Sequence, residues 1–484
     1  MTPLTLADVW SALCERPVPL EMLQVAIQDV TIDSRLARAG SLFVALRGER
    51  ADGHDYVLAA LAAGAIGAIV QRVPTDVGAV NVLNTVTGEW VQRSAGLTPA
   101  LFLVPDSLQG LQQVAAAWRA RFSPRVIGVT GSVGKTSTKE MIASVLERRY
   151  CVLKSAGNYN NEIGLPLTLL SLGPRHQRVV LEMGMYALGE IAQLCAISRP
   201  HVGVITNVGP SHLERLGTIE RIAQAKAELV QALPPEPEGV AVLNHDDPLV
   251  RAMATQTQAQ VFFYGTTPDC DLWADQVESA GLQGIRFCFH YGGEILHVKV
   301  PLLGRHSVHT ALRAAAVGLV EGLNWDEIIA GLQDVSGQLR LVTVPGIRGI
   351  TIIDDTYNAS PASMIAALNL LADLKPEGSG RRIAVLGDML ELGSYEEEGH
   401  LLVGRRAADV VQKLITVGPR ARWIGQEAIA TGLSPADVIM VEDNETALAT
   451  LYELVGSGDL VLVKGSRAQR MEQIVNALSR RGNG

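Results

Sequence analysis

Thr130-Gly131-Ser132-Val133-Gly134-Lys135-Thr136 is the stretch on which the fold turns. The apolar run Val126-Ile127-Gly128-Val129 precedes it, and Ser137-Thr138-Lys139-Glu140-Met141-Ile142 follows with the composition of a helix start. Strand, glycine turn and helix in that order form a cradle for phosphate. Backbone N–H groups and the positive helix end face the anion, and a lysine adds a mobile charge. Lys135 is that lysine, and the Thr136 hydroxyl sits where a magnesium ligand is needed. Val129 stands where the strict phosphate-loop pattern has its first glycine. The reading therefore rests on Gly131-x-x-Gly134-Lys135-Thr136 in its strand–helix context, with Ser132, Val133 and Ser137 completing the cradle. A chance glycine turn beside a surface lysine is the competing reading, and the flanking elements disfavour it. The motif implies a nucleoside triphosphate.

A chain of 484 residues exceeds one ordinary core and suggests about three domains. Hydrophobic content of 48% with 19% charged residues fits a well-buried globular protein. The net charge of −9 and the lack of a basic run argue against a nucleic-acid partner. Cys14, Cys151, Cys195, Cys270 and Cys288 are scattered without metal-type spacing and read as buried thiols of a reducing compartment. The start, Met1-Thr2-Pro3-Leu4-Thr5-Leu6-Ala7-Asp8, has no signal-peptide pattern. The longest apolar run, Val57 to Val70, falls short of the roughly 20 residues of a membrane span. The expectation is a cytoplasmic protein with no membrane insertion.

Outward from the glycine turn, the pattern is α/β. Residues 101–337 alternate apolar, β-branched strands with helical stretches, at Val126–Val129, Val179–Leu181, Val202–Thr206 and Val240–Leu243. That is a central phosphate-loop domain on a parallel sheet buried on both faces. Residues 1–100 form a small N-terminal α/β domain, with strands at Leu42–Leu46 and Ala68–Val70 around a helix from Tyr56 to Ala63 closed by Gly64. Asn84 to Pro99 reads as a loop. Residues 338–484 carry strands at Gly349–Ile353, Arg382–Leu386, Lys413–Val417, Val438–Val441 and Leu460–Lys464, a doubly wound, Rossmann-like unit. Its first strand is followed by Asp354-Asp355-Thr356-Tyr357-Asn358 and not by a glycine-rich turn.

Ligands of open α/β sheets gather outside the carboxyl ends of the strands. Lys135, Thr136, Glu182, Asn207 and His212 are therefore expected to point toward one crevice. Glu182 offers a hard oxygen to magnesium, against the alternative of a solvated strand-end carboxylate. His212 offers a neutral imidazole, although magnesium prefers oxygen and the balance there is even.

The ordered motifs resemble the Mur ligases, ATP-dependent amino-acid ligases of peptidoglycan precursor synthesis. Carrying the resemblance are Thr130–Thr136, Gly157-Asn158-Tyr159-Asn160-Asn161-Glu162-Ile163-Gly164, Glu182-Met183-Gly184, Thr206-Asn207, Ser211-His212-Leu213 and Asn244-His245-Asp246-Asp247. Asp354–Met364, Gly387–Gly393 and Val463-Lys464-Gly465-Ser466-Arg467 narrow it to the branch whose amine substrate is D-alanyl-D-alanine. Asp33-Ser34-Arg35 and Leu42–Glu49 look like the part that holds a UDP-sugar.

The resemblance implies that residues 1–100 bind the UDP-muramoyl-peptide, 101–337 bind ATP and 338–484 bind the dipeptide. It implies ATP and Mg2+, as two ions, for cofactors, UDP-N-acetylmuramoyl-tripeptide and D-alanyl-D-alanine as partners, and a monomer. Thr136, Glu182, His212 and Lys226 would hold metal, Lys226 as the lysine that carries a carbamate in related ligases. A plain surface lysine on a helix is the rival reading of Lys226. Ser34 and Arg35 would meet the nucleotide, or only make a turn and a salt bridge with Asp33. Asn158, Asn160 and Asn161 would face the muramoyl-peptide, or only shape a turn. Asp354 and Asp355, at a strand end, would meet the ribose, while Asp388, Glu391, Lys464, Ser466 and Arg467 would hold the zwitterionic dipeptide.

Two departures stand out. Ser307 in Gly304-Arg305-His306-Ser307-Val308-His309 replaces the asparagine that meets adenine in the family, which leaves His306 or His309 to read the base. Gly337-Gln338-Leu339-Arg340 lacks the arginine of the family's Gly-Arg-Leu, so Arg340 is expected to reach the γ-phosphate instead. The alternatives are a sister ligase that adds a single amino acid, and an ATP-binding regulatory protein whose ligase site has decayed.

Overall fold

In the computed structural model the described residues are 3–14, 16–18, 22, 24–48, 51–334 and 342–479. They fall into two compact units. The first comprises Met1–Gly128, Tyr150–Met185 and Gly189–Val202; the second comprises Val129–Arg149, Tyr186–Leu188 and Gly203–Gly484.

The first unit holds a six-stranded sheet of β1 (Asp29–Thr31), β2 (Ser41–Val44), β3 (Gly67–Val70), β4 (Asn81–Asn84), β5 (Glu89–Gln92) and β6 (Ala100–Leu103), in the order β1-β2-β3-β6-β4-β5. All neighbours are parallel except β4 and β5. Phe43, Ala68, Val70, Val82 and Leu101 pack there against Val57 and Ala60 of the helix Val57–Ala62. Gly64 follows that helix at φ +104°, a left-handed conformation that suits glycine.

The segment expected to be a loop between Asn84 and Pro99 contains β5. This strand lies at the sheet edge, largely exposed, with a register shift between Val82 and Leu83. An exposed edge strand has no buried face and so carries no apolar alternation to detect.

Asp52, His54 and Gln71 show how this unit fixes a loop. Asp52 accepts from the His54 backbone N–H at 3.0 Å and from the ring Nδ1 at 2.5 Å, while Nε2 of the buried ring accepts from the Gln71 N–H at 2.8 Å. These bonds, backbone first, pull the Asp52 carboxyl down to about 2. Its stabilising contribution is thus complete above the unfolded value of about 3.9 and lost as pH falls toward 2. Asp52→Asn is expected to lower the denaturant midpoint at pH 6 but to match the native chain at pH 2.

Strand β7 (Arg125–Thr130) leaves the first unit at Gly128 and enters the second at Val129. In the first unit β8 (Val152–Lys154) pairs in parallel with β9 (Arg178–Glu182), whose last four residues are buried. Strand β10 (Val202–Ile205) begins at the second boundary.

In the second unit β11 (Val240–Asn244) and β12 (Gln260–Gly265) are parallel, and β12 continues in parallel to β13 (Leu272–Ser279). Antiparallel pairs then join β13 to β14 (Ile285–Tyr291) and β14 to β15 (Glu294–Val300). The central strands are therefore mixed and not purely parallel. Gly292-Gly293, at φ +58° and +88°, makes the tight β14–β15 turn and is the hairpin signal that marks this extension.

The C-terminal sheet has β16 (Val342–Pro345), β17 (Thr351–Asp354), β18 (Arg382–Gly387), β19 (Lys413–Val417), β20 (Val438–Val441) and β21 (Leu460–Lys464), ordered β16-β17-β21-β18-β19-β20. Only β16 runs antiparallel. Strand β18 shows why both faces are covered. Ala384 and Leu386 pack on the side of Leu368, Val403 and Ile424, while Ile383 and Val385 pack on the side of Ala447, Leu451 and Ile474. Helices on both faces make this the expected doubly wound sheet. Among the described residues no helix is long and apolar enough to cross a membrane.

Candidate active site

The glycine turn is held open by its neighbours. Gly131 has φ +146°, and a Cβ there would lie 1.8 Å from Oγ1 of Thr206. Gly134 caps the helix Lys135–Leu146 at φ +85°. The Ser132 N–H donates to the Asn207 carbonyl at 2.9 Å, and the Val133 N–H donates to Asn207 Oδ1 at 3.0 Å. Thr206 Oγ1 and Asn207 Nδ2 both donate to the Val133 carbonyl, at 2.7 and 3.0 Å. The Ser132 hydroxyl is occupied by Gly209 and Ser211. Thr206 and Asn207 thus brace the loop's backbone, and its shape is set by groups beyond the motif itself.

Lys135 folds back over the loop, its Nζ donating to the Gly131 carbonyl at 2.7 Å and to that of Ser132 at 3.2 Å. Thr136 is buried at the first turn of the helix. Lys226 rises from the helix Ile219–Gln231, whose Thr218 cap accepts from the Arg221 N–H. Its side chain is only 2% exposed, which rules out the plain surface lysine. Among the described residues no hydrogen bond or ion pair reaches its amine. Burial first, and then the nearby Lys135 charge, push its pKa well below the ordinary lysine value. That shift favours the neutral amine, the form that can take up carbon dioxide.

In the first unit, β9 delivers the fully buried Glu182. Asn160 Nδ2 donates to Glu182 Oε1 at 2.8 Å, and the Asn160 carbonyl accepts from the Gly184 N–H at 2.7 Å. Asn161 Oδ1 accepts from the N–H groups of Ile163 and Gly164, at 3.3 and 2.9 Å. Asn158 is exposed. Two of the three asparagines therefore shape the loop and orient Glu182. Arg35 and Asp33 form the turn and salt bridge of the alternative reading: Asp33 accepts from the Arg35 N–H at 3.0 Å and pairs with its exposed guanidinium at 2.6 Å. Ser34 opens the short helical turn between them.

The C-terminal residues divide in the same way. Lys464 is 2% exposed, pairs with Asp355 at 2.7 Å and donates to the Asn358 carbonyl at 2.8 Å. It ties down the loop that follows β17. Asp388 is buried, accepts from the Ala421 N–H at 2.7 Å, and is pushed up by that burial. The Ser466 N–H donates to the Asp388 carbonyl, and its hydroxyl accepts from the Leu390 N–H. Arg467 lies 5.2 Å over the Tyr357 ring. Glu391 instead meets His212, with the imidazole Nδ1 2.7 Å from Oε2.

Near the start of the helix Val308–Val320, Ser307 Oγ donates to the Leu303 carbonyl at 2.7 Å. His309 pairs with Asp246 at 2.8 Å. His306 reaches solvent but is crowded by protein. Desolvation, followed by the charges of His309, Arg313 and Lys464, pushes it to about 4 and leaves a neutral ring able to accept a hydrogen bond. Arg313, buried and absent from the motif reading, donates to Thr310 Oγ1 at 2.9 Å and has its guanidinium beside Gly134. Its position three residues after Thr310 was the only signal, since a lysine or arginine within a helix ordinarily reads as surface. Gln338 and Arg340 lie outside the described residues.

The braced glycine turn, the lysine at its helix start and a second, buried lysine that feels the first one's charge all belong to the second unit. The Mur ligase middle domain model matches residues 129–318, the Mur ligase glutamate ligase domain model 339–467, and the Mur ligase catalytic domain model 26–117. The UDP-N-acetylmuramoyl-tripeptide–D-alanyl-D-alanine ligase of Bacillus subtilis is 37% identical over 462 residues, 94% of each chain. The crystal structure of MurF from Acinetobacter baumannii superposes with a TM-score of 0.82 at 30% identity, covering 98% of each chain. That of MurF ligase from Thermotoga maritima in complex with ADP gives 0.78 at 30% identity, covering 94% of this chain and 97% of that one. The chain belongs to the Mur ligase family. It is an ATP-dependent ligase that forms amide bonds.

Proposed function

We propose that this enzyme joins D-alanyl-D-alanine to the free peptide carboxylate of UDP-N-acetylmuramoyl-tripeptide, in the cytoplasm, as a step of peptidoglycan precursor synthesis. The observation that carries the chemistry is the pairing of Lys135, at the glycine turn, with the fully buried Lys226. The reading of the substrates rests on the likeness to the D-alanyl-D-alanine ligase of Bacillus subtilis along nearly the whole chain.

Amide formation in water requires an activated acid. The γ-phosphoryl group of ATP passes to the substrate carboxylate, giving an acyl phosphate and ADP. The dipeptide amine then attacks the carbonyl carbon, the amide forms, phosphate leaves and the amine loses its proton. Such chemistry asks the protein for positioning and for relief of crowded negative charge. The N-terminal end of the helix that begins at Lys135, together with the Lys135 ammonium, would hold the β- and γ-phosphates, with Arg313 adding charge behind Gly134. His306 would accept from the adenine amino group, since the Ser307 hydroxyl is engaged by Leu303.

Within the second unit, Thr136, His212 and a carbamylated Lys226 would offer donors that fit Mg2+, and the family resemblance adds the carboxylate of Glu182. Bound there, Mg2+ would neutralise phosphate and acyl-phosphate oxygens. A carbamate turns the amine of Lys226 into an anionic oxygen ligand, and the lysine's burial without an acceptor suits that conversion. Residues 1–100 would bind the UDP-muramoyl part, residues 101–337 ATP, and residues 338–484 the dipeptide.

Orientation of Glu182 by Asn160 gives a test within this reading. Asn160→Ala is expected to lower turnover about tenfold to a hundredfold, the usual cost of losing a partner of a metal ligand. The thermal midpoint should hardly move. Steady-state phosphate release at several magnesium concentrations measures it. The function as a whole is tested by the mass of the product. Incubation with ATP, magnesium, UDP-muramoyl-tripeptide and D-alanyl-D-alanine should give the pentapeptide, and phosphate release should require both substrates. Release with a single free amino acid as efficiently as with the dipeptide would point to the sister-ligase alternative.

A further inference from the structure

His212 and Glu391 stand 179 residues apart in the chain, yet Nδ1 of one lies 2.7 Å from Oε2 of the other. Both occupy left-handed backbone positions, at φ +58° and +64°, which side-chain-bearing residues seldom adopt. His212 does so as the cap of the short helix Leu213–Leu216. Glu391 does so in the loop that follows β18, and its carbonyl faces the Glu214 N–H at 3.4 Å. Gly393, at φ +55°, lets this loop approach closely, since a Cβ there would lie 3.0 Å from the Glu214 backbone. Tyr186 packs edge-to-face with the imidazole at 5.1 Å, and the Arg215 guanidinium lies over that tyrosine at 4.7 Å. Two uncommon backbone conformations spent on one contact mark it as selected geometry and not chance proximity.

We infer that Glu391 is a positioning residue for His212: it accepts the Nδ1 hydrogen, so that Nε2 keeps its lone pair for a cation, and it does so only while the loop after β18 is seated on the helix Leu213–Leu216. An ionised carboxylate can only accept, which assigns the imidazole hydrogen to Nδ1. Histidine ligands ordinarily carry such a carboxylate partner on the second nitrogen, where it fixes the tautomer and the ring angle. The consequence is coupling. The last part of the chain, by seating one loop, sets a ligand on the helix beside the phosphate loop, and removal of that loop leaves the imidazole free to turn and to change tautomer. Glu391 then acts on the cation and not on the dipeptide. This inference rests on the reading of His212 as a cation ligand.

The experiment uses the full-length chain and its Glu391→Ala, Glu391→Gln, His212→Ala and doubly substituted forms. Each is titrated with Mn2+ in the presence of ADP, with free Mn2+ followed by electron paramagnetic resonance. Glu391→Ala is expected to weaken Mn2+ binding about tenfold or more, and Glu391→Gln, which keeps an acceptor oxygen, to restore most of it. Glu391→Ala should cost nothing further in a chain that already carries His212→Ala. The KM for D-alanyl-D-alanine should change less than the Mn2+ affinity, and unfolding midpoints should confirm that every form is folded. Unchanged Mn2+ binding in Glu391→Ala, with weakened binding in His212→Ala, would overturn the role of Glu391 alone. Unchanged binding in His212→Ala would overturn the ligand reading and this inference with it. A raised dipeptide KM with intact Mn2+ affinity would return Glu391 to the substrate site.

Discussion

Lys135→Ala is expected to lower turnover about a thousandfold, a loss near 4 kcal/mol of transition-state stabilisation. The lysine stands at the first residue of the helix that follows the glycine turn, and its ammonium now rests on the carbonyls of Gly131 and Ser132. Those bonds are local, so removing them should leave the thermal midpoint nearly unchanged. An incoming triphosphate offers the ammonium a stronger, charged acceptor than a carbonyl does. Charge that moves from the β–γ bridge onto the leaving ADP is then left without its nearest mobile cation. Phosphate release with both substrates saturating measures turnover, and ADP titration measures binding. A variant with full amide-bond formation would remove the phosphate-cradle reading altogether.

Lys226→Met carries the second large effect, and stability and activity should move in opposite directions. The native side chain is 2% exposed, and burial that disfavours the charged amine costs roughly 1–3 kcal/mol. Methionine fills a similar volume without that cost, so the ligand-free variant should unfold at a higher temperature. On the proposed carbamate role, turnover should collapse by about a hundredfold or more, because methionine can carry no carbamate. The pH dependence supplies an independent check. With the folded pKa depressed, the unfolded chain binds the extra proton between that value and about 10.4, so native stability rises with pH through this window. In Lys226→Met that part of the slope should vanish. Denaturant midpoints at pH 7 and pH 9.5 for both chains measure it. A variant that is both less stable and fully active would show that the lysine is merely a packing element.

The glycine turn and the doubly wound C-terminal sheet were legible because local chemistry dictates them: positive φ needs glycine, and two covered faces need uninterrupted apolar strands. Lys226 was picked out by the family resemblance alone, since a lysine on a helix ordinarily reads as surface. What escaped was set by contacts distant in sequence. The edge strand β5 has no buried face to impose a period. The β14–β15 hairpin announces itself only through Gly292-Gly293. Asn207, Asn160 and Lys464 were read from the sequence as residues that face ligands. Their hydrogen bonds, however, reach the backbone of Val133, the carboxylate of Glu182 and the loop after β17. Residue type shows that a polar group is needed at a place; only the folded partner shows whether it serves the ligand or the scaffold. Glu391 is the sharpest example, since a loop carboxylate suits a dipeptide amine as well as it suits the imidazole of His212.

The grip of Thr206 and Asn207 on the Val133 carbonyl has a kinetic corollary. A loop already cast in its working shape surrenders little disorder when a nucleotide arrives, so capture need not wait for a slow rearrangement. Thr206→Val would keep the bulk yet release one tether, and the penalty should surface as slower nucleotide association while escape of bound ADP is less affected.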